Sequence, residues 1–118
     1  MRAASLAAVV VLAVAATATA HGVLERTEPR GGATLRTAPS QVRLRFTGAL
    51  EPAYSHVSVL NDAHQRVDLG DSAVDPADRA LLRVSLPALP PGRYTVAWRV
   101  LSVDSHVTAG DFTFRVAP

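Results

Sequence analysis

Cysteine and lysine are absent from the sequence, and its only methionine is Met1. Without cysteine no disulfide bond can hold the chain together, so the fold must depend on packing. Cysteine and methionine are also the soft side chains that proteins use to bind soft metal ions. Any metal site beyond residue 1 therefore has to use nitrogen and oxygen donors.

A surplus of charge of one sign is lacking as well. All twelve basic residues are arginine, ten residues are acidic, and the arginines do not form a run. If residues 1–20 are removed, eleven arginines face ten acids and the net charge is close to zero. Such a balance does not support a nucleic-acid partner, although the calculated pI of the full sequence is about 9.9.

Only one long hydrophobic run is present, and it lies at the N-terminus. Arg2 precedes the apolar stretch Leu6–Ala16, and Ala18-Thr19-Ala20 has small residues where a signal peptidase reads them. This order predicts a secretory signal peptide over residues 1–20. The alternative is a membrane anchor, but the run is short for a span of roughly 20 residues and rich in alanine. Cleavage would leave 118 − 20 = 98 residues, a single exported domain over residues 21–118.

Short stretches of alternating apolar and polar residues follow, separated by turn-forming Gly, Pro, Asn and Asp. The strict alternation of Val42–Phe46, for example, predicts a half-buried strand. Similar patterns predict strands at Val23–Thr27, Val57–Leu60, Arg66–Leu69, Leu82–Leu86, Tyr94–Val100 and Phe112–Val116. Arg66–Leu69 would pair with the preceding strand as a hairpin, and loops would cover residues 29–39 and 70–78.

No stretch of useful length after residue 20 repeats with the helical period, and no internal repeat or second domain is visible. Six or seven short strands separated by turns are typical of an all-β fold. We therefore predict a small Greek-key β-barrel or immunoglobulin-like β-sandwich of about seven strands.

Asp104 and His106 lie in a polar turn between the last two predicted strands. In extended backbone, residues two apart point to the same side, so one carboxylate and one imidazole can converge on one point. The Asp-x-His spacing alone is a weak signal, because a polar turn often contains both residue types by chance.

His21 adds to this signal, because after cleavage it would carry both a free α-amine and an imidazole. A divalent metal can displace the proton of an α-amine, whose usual pKa is roughly 7.7–8.0, so the amine and ring nitrogen Nδ1 can clamp one ion. With a third nitrogen from His106 and an oxygen from Asp104, the donors suit one tetragonal Cu(II) ion per chain. Zn(II) would accept the same donors tetrahedrally. The remaining histidines, His56 and His64, are interpreted as ordinary surface residues.

Taken together, these segments resemble the CopC-like periplasmic copper-resistance proteins. The resemblance begins at His21 and continues through Thr27-Glu28-Pro29 and the stretches LRFTG and YSHVSV. Its most specific part is LPPGRYTVAWRVLSVDSHVTAGDFTFRV, residues 89–116, in which a Gly-x-Tyr-x-Val-x-Trp-Arg-Val strand precedes the Asp-x-His turn.

The resemblance implies a small Greek-key β-barrel that binds Cu(II) through the amine and ring of His21 together with Asp104 and His106. It also implies an exported copper carrier, paired with or fused to a membrane copper-transport protein of the CopD type. Two departures stand out. Gly48 occupies a position where some members have an acidic residue near the copper, which leaves Glu51 as the nearest acidic candidate. The methionine-rich Cu(I) loop of some members is also missing.

We interpret the protein as an exported, monomeric Cu(II) carrier or buffer in copper homeostasis or resistance, in the periplasm, at the cell surface or outside the cell, and not as an enzyme. One alternative is a copper monooxygenase with an N-terminal histidine clamp, which would show oxygen-dependent activity when loaded with copper. The other is a metal-free immunoglobulin-like accessory module, which would bind no copper.

Overall fold

The computed structural model describes residues 23–118, so the predicted signal peptide and His21 lie outside the described residues. Residues 23–118 form eight strands and one 3-10 turn, Pro52–Tyr54, which confirms the all-β prediction. The strands are β1 Leu24–Glu28, β2 Thr34–Leu35, β3 Gln41–Phe46, β4 His56–Leu60, β5 Ala73–Asp75, β6 Asp78–Ser85, β7 Gly92–Leu101 and β8 Val107–Val116. None of the helical structure in this range is long and apolar enough to cross a membrane.

Two four-stranded sheets form a β-sandwich, with strand orders β1-β3-β6-β5 and β2-β8-β7-β4. All neighbouring strands are antiparallel except β2, which runs parallel to β8. From β1 to β5 each strand lies in the sheet opposite to that of the strand before it, and β6 and β7 again lie in different sheets, so distant segments of sequence become neighbours. The predicted sandwich is therefore confirmed, with two short strands in addition to the longer ones.

Alternating side chains from both sheets form the core between them. In β3, Val42, Leu44 and Phe46 are buried while the arginines between them are half-buried, as the alternation predicts. The Tyr94 ring of β7 stacks on the Phe114 ring of β8, with centroids 5.5 Å apart. Each fully buried aliphatic or aromatic side chain of this kind contributes about 1.5–3 kcal/mol through removal of apolar surface from water.

The predicted hairpin strand at Arg66–Leu69 is wrong. An isolated bridge and a single backbone hydrogen bond connect this segment to β4. Side chains supply other acceptors: Asp68 Oδ2 accepts the Val59 N–H at 2.8 Å, and Ser72 Oγ accepts the Val57 N–H at 2.9 Å. These side chains accept backbone N–H groups at the outer edge of β4. Because those groups already have partners, no further strand pairs there.

Two short strands lie where the sequence predicts loops. β2 pairs with the end of β8, at Thr34 with Arg115 and Leu35 with Val116. β5 lies beside β6 at the edge of the other sheet. Strands of two or three residues contain too little alternation to be read from a sequence.

Strands β7 and β8 form a long hairpin that ends at the Asp104–His106 turn, with ten paired positions from Gly92–Val116 to Leu101–Val107. The sequence places Gly110 between the turn and the last strand, but Gly110 lies inside β8, opposite Trp98. A Cβ atom at Gly110 would be 2.8 Å from Trp98 Cζ2. The partly buried Trp98 ring packs edge-on against Phe46, so the glycine makes room for a ring of the core.

Candidate metal centre

The structure brings Asp104 and His106 together at one end of the sandwich. Oδ1 of Asp104 lies 3.2 Å from Nδ1 of His106. The Asp104 side chain is 28% exposed and the His106 side chain 57% exposed, so the pair is accessible from solvent. The two groups lie beside each other, as the Asp-x-His spacing predicts, but a turn and not extended backbone brings them together.

A three-residue loop, Val103–Ser105, produces this convergence. The Ser105 N–H donates to the carbonyl of Ser102 at 2.9 Å, and the Ser102 N–H donates to the carbonyl of His106 at 2.9 Å. Ser105 has a φ of 73°, in the left-handed region. Three-residue hairpin loops commonly consist of a turn followed by one left-handed residue, which matches this loop.

Ser102 is a residue of the site that the sequence-based reasoning missed. It is 1% exposed, and its Oγ donates a hydrogen bond to Oδ1 of Asp104. The same Oγ accepts the His106 N–H at 3.3 Å. Ser102 thus holds both members of the pair. The available signal was a serine two residues before an aspartate at the end of a predicted strand, where such side chains often bond to the local backbone.

The segment Ala49–Glu51 supports the turn from one side. The Val103 N–H donates to the Ala49 carbonyl at 3.0 Å, and the Glu51 N–H donates to the Leu101 carbonyl at 2.8 Å. Leu50 and Ser102 form an isolated bridge between these two bonds. The turn is therefore tied to a second segment by two backbone hydrogen bonds and is not a loose hairpin tip.

Within residues 23–118, no three His, Cys, Asp or Glu side chains group closely enough to hold a metal ion. Glu51, the acidic candidate near Gly48, is therefore not brought to Asp104 and His106 as a third ligand. The third predicted site residue, His21, lies outside the described residues.

The start of β1 nevertheless lies at this end of the sandwich. The N–H of Val23 donates to Thr47 Oγ1 at 3.2 Å, and the Thr47 N–H donates back to the Val23 carbonyl at 2.9 Å. Thr47 is two residues before Ala49, which accepts the Val103 N–H. Hydrogen bonds thus connect the first described residue to the Asp104–His106 turn through one short segment.

His56 and His64 are exposed, as the sequence predicts. His56 pairs with Arg99 across β4 and β7. His64 lies in the turn after β4 with a φ of 59°, and its N–H donates to the Asn61 carbonyl at 3.0 Å. Within residues 23–118, neither histidine belongs to a group of three side chains that could hold a metal ion.

A small β-sandwich with an accessible carboxylate–imidazole pair at one end defines a class of metal-binding domain, and comparison with known proteins identifies its family. The sequence matches the family described as "CopC domain" over residues 24–117. The chain belongs to the CopC family, whose members are copper-binding resistance proteins and not enzymes.

Individual relatives agree with this assignment. The chain is 33% identical to protein YobA of Escherichia coli over 98 residues, which cover 82% of this chain and 79% of YobA. It is similar to the crystal structure of CopC from Methylosinus trichosporium OB3b, with a TM-score of 0.73 and 34% identity over 83% of this chain and 95% of that one. It is also similar to PcoC, a methionine-rich copper resistance protein from Escherichia coli, with a TM-score of 0.68 and 28% identity over 82% of this chain and 99% of PcoC. Of the functions considered from the sequence, these findings favour the copper-binding protein over the monooxygenase and the metal-free module.

Proposed function

We propose that the protein, after removal of residues 1–20, binds one Cu(II) ion through the α-amine and imidazole of His21, His106 and Asp104. It serves as a copper carrier or buffer in copper homeostasis or resistance. The observation that carries this proposal is the 3.2 Å separation between Asp104 Oδ1 and His106 Nδ1.

That separation suits two ligands of one ion. Nitrogen and oxygen ligands of a divalent first-row metal lie about 2.0–2.2 Å from the ion, so two of them at right angles are about 2.8–3.1 Å apart, and slightly further apart at wider angles. The Asp104–His106 pair can therefore accept an ion between the two atoms with little movement. The hydrogen bond that Ser102 Oγ donates holds the Asp104 carboxylate in place for this role.

The position of Val23 supports the participation of His21. Two residues of backbone span at most about 7 Å, so the N-terminus of a chain that begins at residue 21 would stay near Val23. Val23 is bonded to Thr47, in the segment whose Ala49 bonds to the turn. An α-amine and imidazole there would complete a set of three nitrogens and one oxygen, which favours Cu(II) in the affinity order of divalent metals.

The donor types also bear on the oxidation state. Methionine is absent after Met1 and cysteine is absent throughout, so no soft ligand is available for Cu(I) beyond residue 1. The similar PcoC structure is described as methionine-rich. We infer that this chain handles Cu(II) alone and does not alternate between the two oxidation states.

The remaining parts of the proposal concern location and partners. Family membership and the predicted signal peptide favour a location in the periplasm or at the cell surface, and we propose that the protein acts there as a monomer. Delivery of copper to a CopD-type membrane transporter is the role that the family resemblance favours. Nucleic acid is not a partner on this proposal, because the mature charge is close to zero.

Titration of Cu(II) into two forms of the protein tests the proposal, one that begins at His21 and one with an additional glycine before it. The extra residue converts the α-amine of His21 into an amide, so we expect tight binding only by the first form. Equal binding by both forms would place the copper away from the α-amine, and binding by neither would support a metal-free module.

A further inference from the structure

Large exposed hydrophobic side chains are few on this protein, and most lie at the end that carries the metal centre. Within residues 23–118 they are Val23, Tyr54, Leu69, Val103 and Val107. Val103 and Val107 directly flank the 104–106 segment in the chain. Val23 is bonded to Thr47, in the segment that supports the turn. Tyr54 belongs to the 3-10 turn that follows this segment.

Leu69 is the exception. Its N–H donates to the carbonyl of Ser85, at the C-terminal end of β6. The metal centre lies at the opposite end of β6, where the Leu50 N–H donates to the carbonyl of Arg79. Leu69 therefore provides a comparison residue with similar exposure, 60% against 66% for Tyr54, at the far end of the molecule.

A groove of about 240 Å³ lies beside the metal turn, lined by Tyr54, His56, Arg99, Val100, Leu101 and Val107. His56 and Arg99 face each other across β4 and β7, both are exposed, and neither forms an ion pair within residues 23–118. The groove thus combines apolar lining residues with an exposed tyrosine and an exposed arginine. An exposed arginine of this kind can bind a carboxylate through two parallel hydrogen bonds.

The size of the apolar area indicates a transient contact. Tyr54 is 66% exposed, and Val103 and Val107 are 51% and 53% exposed. Together they present roughly a few hundred Å², comparable to the largest apolar patches of monomers, which are often functional. A stable dimer usually buries about 800 Å² per partner, so this surface is too small to hold a second copy of the chain permanently.

We propose that Tyr54, Val103, Val107 and Arg99 form a docking surface for a copper-exchanging protein that presents a carboxylate beside apolar side chains. This inference rests on the proposed function, since a carrier has to bring its ion into contact with the protein that receives or supplies it. Tyrosine and arginine are the residue types that most often carry the energy of a protein interface. A lipid surface fits less well, because the polar side chains of Asp104 and His106 lie among these apolar residues and would lose their hydration.

The test uses two substitutions on the surface, Tyr54→Asp and Arg99→Glu, and two matched controls, Leu69→Asp and Arg115→Glu. Each mature protein is first titrated with Cu(II), and all are expected to bind as tightly as the parent. Loaded with isotopically labelled copper, each is then mixed with right-side-out membrane vesicles from the organism that produces it, and with protein-free vesicles of the extracted lipids. Free Cu(II) serves as a reference for the vesicles themselves.

We expect the two surface variants to transfer copper to the membrane vesicles at least about tenfold more slowly than the parent and the controls, the effect of losing an interface hot spot. Equal transfer by surface and control variants, with copper binding intact, would overturn the docking surface and leave the carrier proposal standing. If the parent transfers copper to protein-free lipid vesicles as fast as to membrane vesicles, the partner is a lipid surface instead. A dimer detected by sedimentation and lost in Tyr54→Asp would assign the surface to a second copy. Transfer by the parent no faster than from free Cu(II) would also overturn the proposal.

Discussion

The hydroxyl of buried Ser102 donates a hydrogen bond to Oδ1 of Asp104, which itself lies 3.2 Å from Nδ1 of His106. The same hydroxyl accepts the backbone N–H of His106. One side chain inside the sandwich therefore orients both accessible groups of the proposed metal centre. On this proposal, the fold prepares the β7–β8 side of the centre before any ion arrives.

Replacement of Ser102 by alanine tests this arrangement. We expect the Cu(II) affinity of Ser102→Ala to fall about 10–100-fold, the usual effect of losing a partner that orients a metal ligand. The Ser58→Ala variant, which removes a hydroxyl from the middle of β4, is the control and should bind as the parent does. Competition titration against a calibrated chelator measures both affinities. Unchanged binding by Ser102→Ala would mean that its hydroxyl serves the turn alone.

Replacement of His106 by alanine tests the imidazole directly. Because a ligand contributes more than the partner that orients it, we expect the Cu(II) affinity to fall by more than about 100-fold. The side chain is 57% exposed, so the free energy of unfolding without metal should change by no more than about 0.5 kcal/mol. His64→Ala, an exposed turn residue, is the matched control. If His106→Ala retains the parental affinity, the assignment of the site is wrong.

Ser105 occupies a left-handed conformation that glycine adopts more easily, with a φ of 73°. A non-glycine residue in this region costs about 1–2 kcal/mol, and the extra freedom of glycine in the unfolded chain offsets about 0.5–1 kcal/mol of that. We expect Ser105→Gly to raise the free energy of unfolding by up to about 1.5 kcal/mol, and Ser105→Val to lower it. Urea denaturation of the metal-free proteins measures both changes, and a stabilised valine variant would contradict the argument.

Gly110 makes room for the Trp98 ring, since a Cβ atom there would lie 2.8 Å from Cζ2. Gly110→Ala should therefore lower the free energy of unfolding by about 1–3 kcal/mol, the usual cost of overpacking a core. In a Trp98→Phe background, which lacks that atom, Gly110→Ala should lower the free energy of unfolding clearly less. Urea denaturation of the parent, the two single variants and the double variant gives the coupling free energy between the two positions. Equal costs in both backgrounds would show that contact with Trp98 is not the cause.

Asp68 makes the free energy of unfolding depend on pH in the acid range. Burial tends to raise the pKa of its carboxyl, but hydrogen bonds from Arg66 and from the N–H groups of Val59 and Gly70 outweigh burial and hold the pKa below its usual 3.8. A carboxyl with a lowered folded pKa contributes stability above the unfolded pKa and loses it as the pH falls through the folded pKa. We expect the free energy of unfolding to decrease below about pH 4, and to decrease less steeply in Asp68→Asn. Denaturation at a series of pH values measures the two slopes, and identical slopes would contradict this role.

Much of the fold follows from local pattern. The longer strands and most of their buried side chains were predictable, because each alternates with a period of two and ends at turn residues. The strand predicted at Arg66–Leu69 failed because Asp68 and Ser72 supply side-chain acceptors at the edge of β4, and no alternation pattern reveals that. The short strand β2 depends on β8, which is remote in sequence, and β5 has only three residues beside β6, so neither strand contained enough alternation to be predicted.

The proposed metal centre shows the same division. The sequence by itself determined which donors are available: nitrogen and oxygen atoms, in an Asp-x-His turn and in a histidine directly after a predicted cleavage site. Only the tertiary structure decided that buried Ser102 holds the pair, that the Ala49–Glu51 segment supports the turn, and that most of the exposed apolar side chains lie around it. The physical reason is that residue types specify which atoms can bind an ion, whereas the strand order of two packed sheets specifies which of those atoms meet.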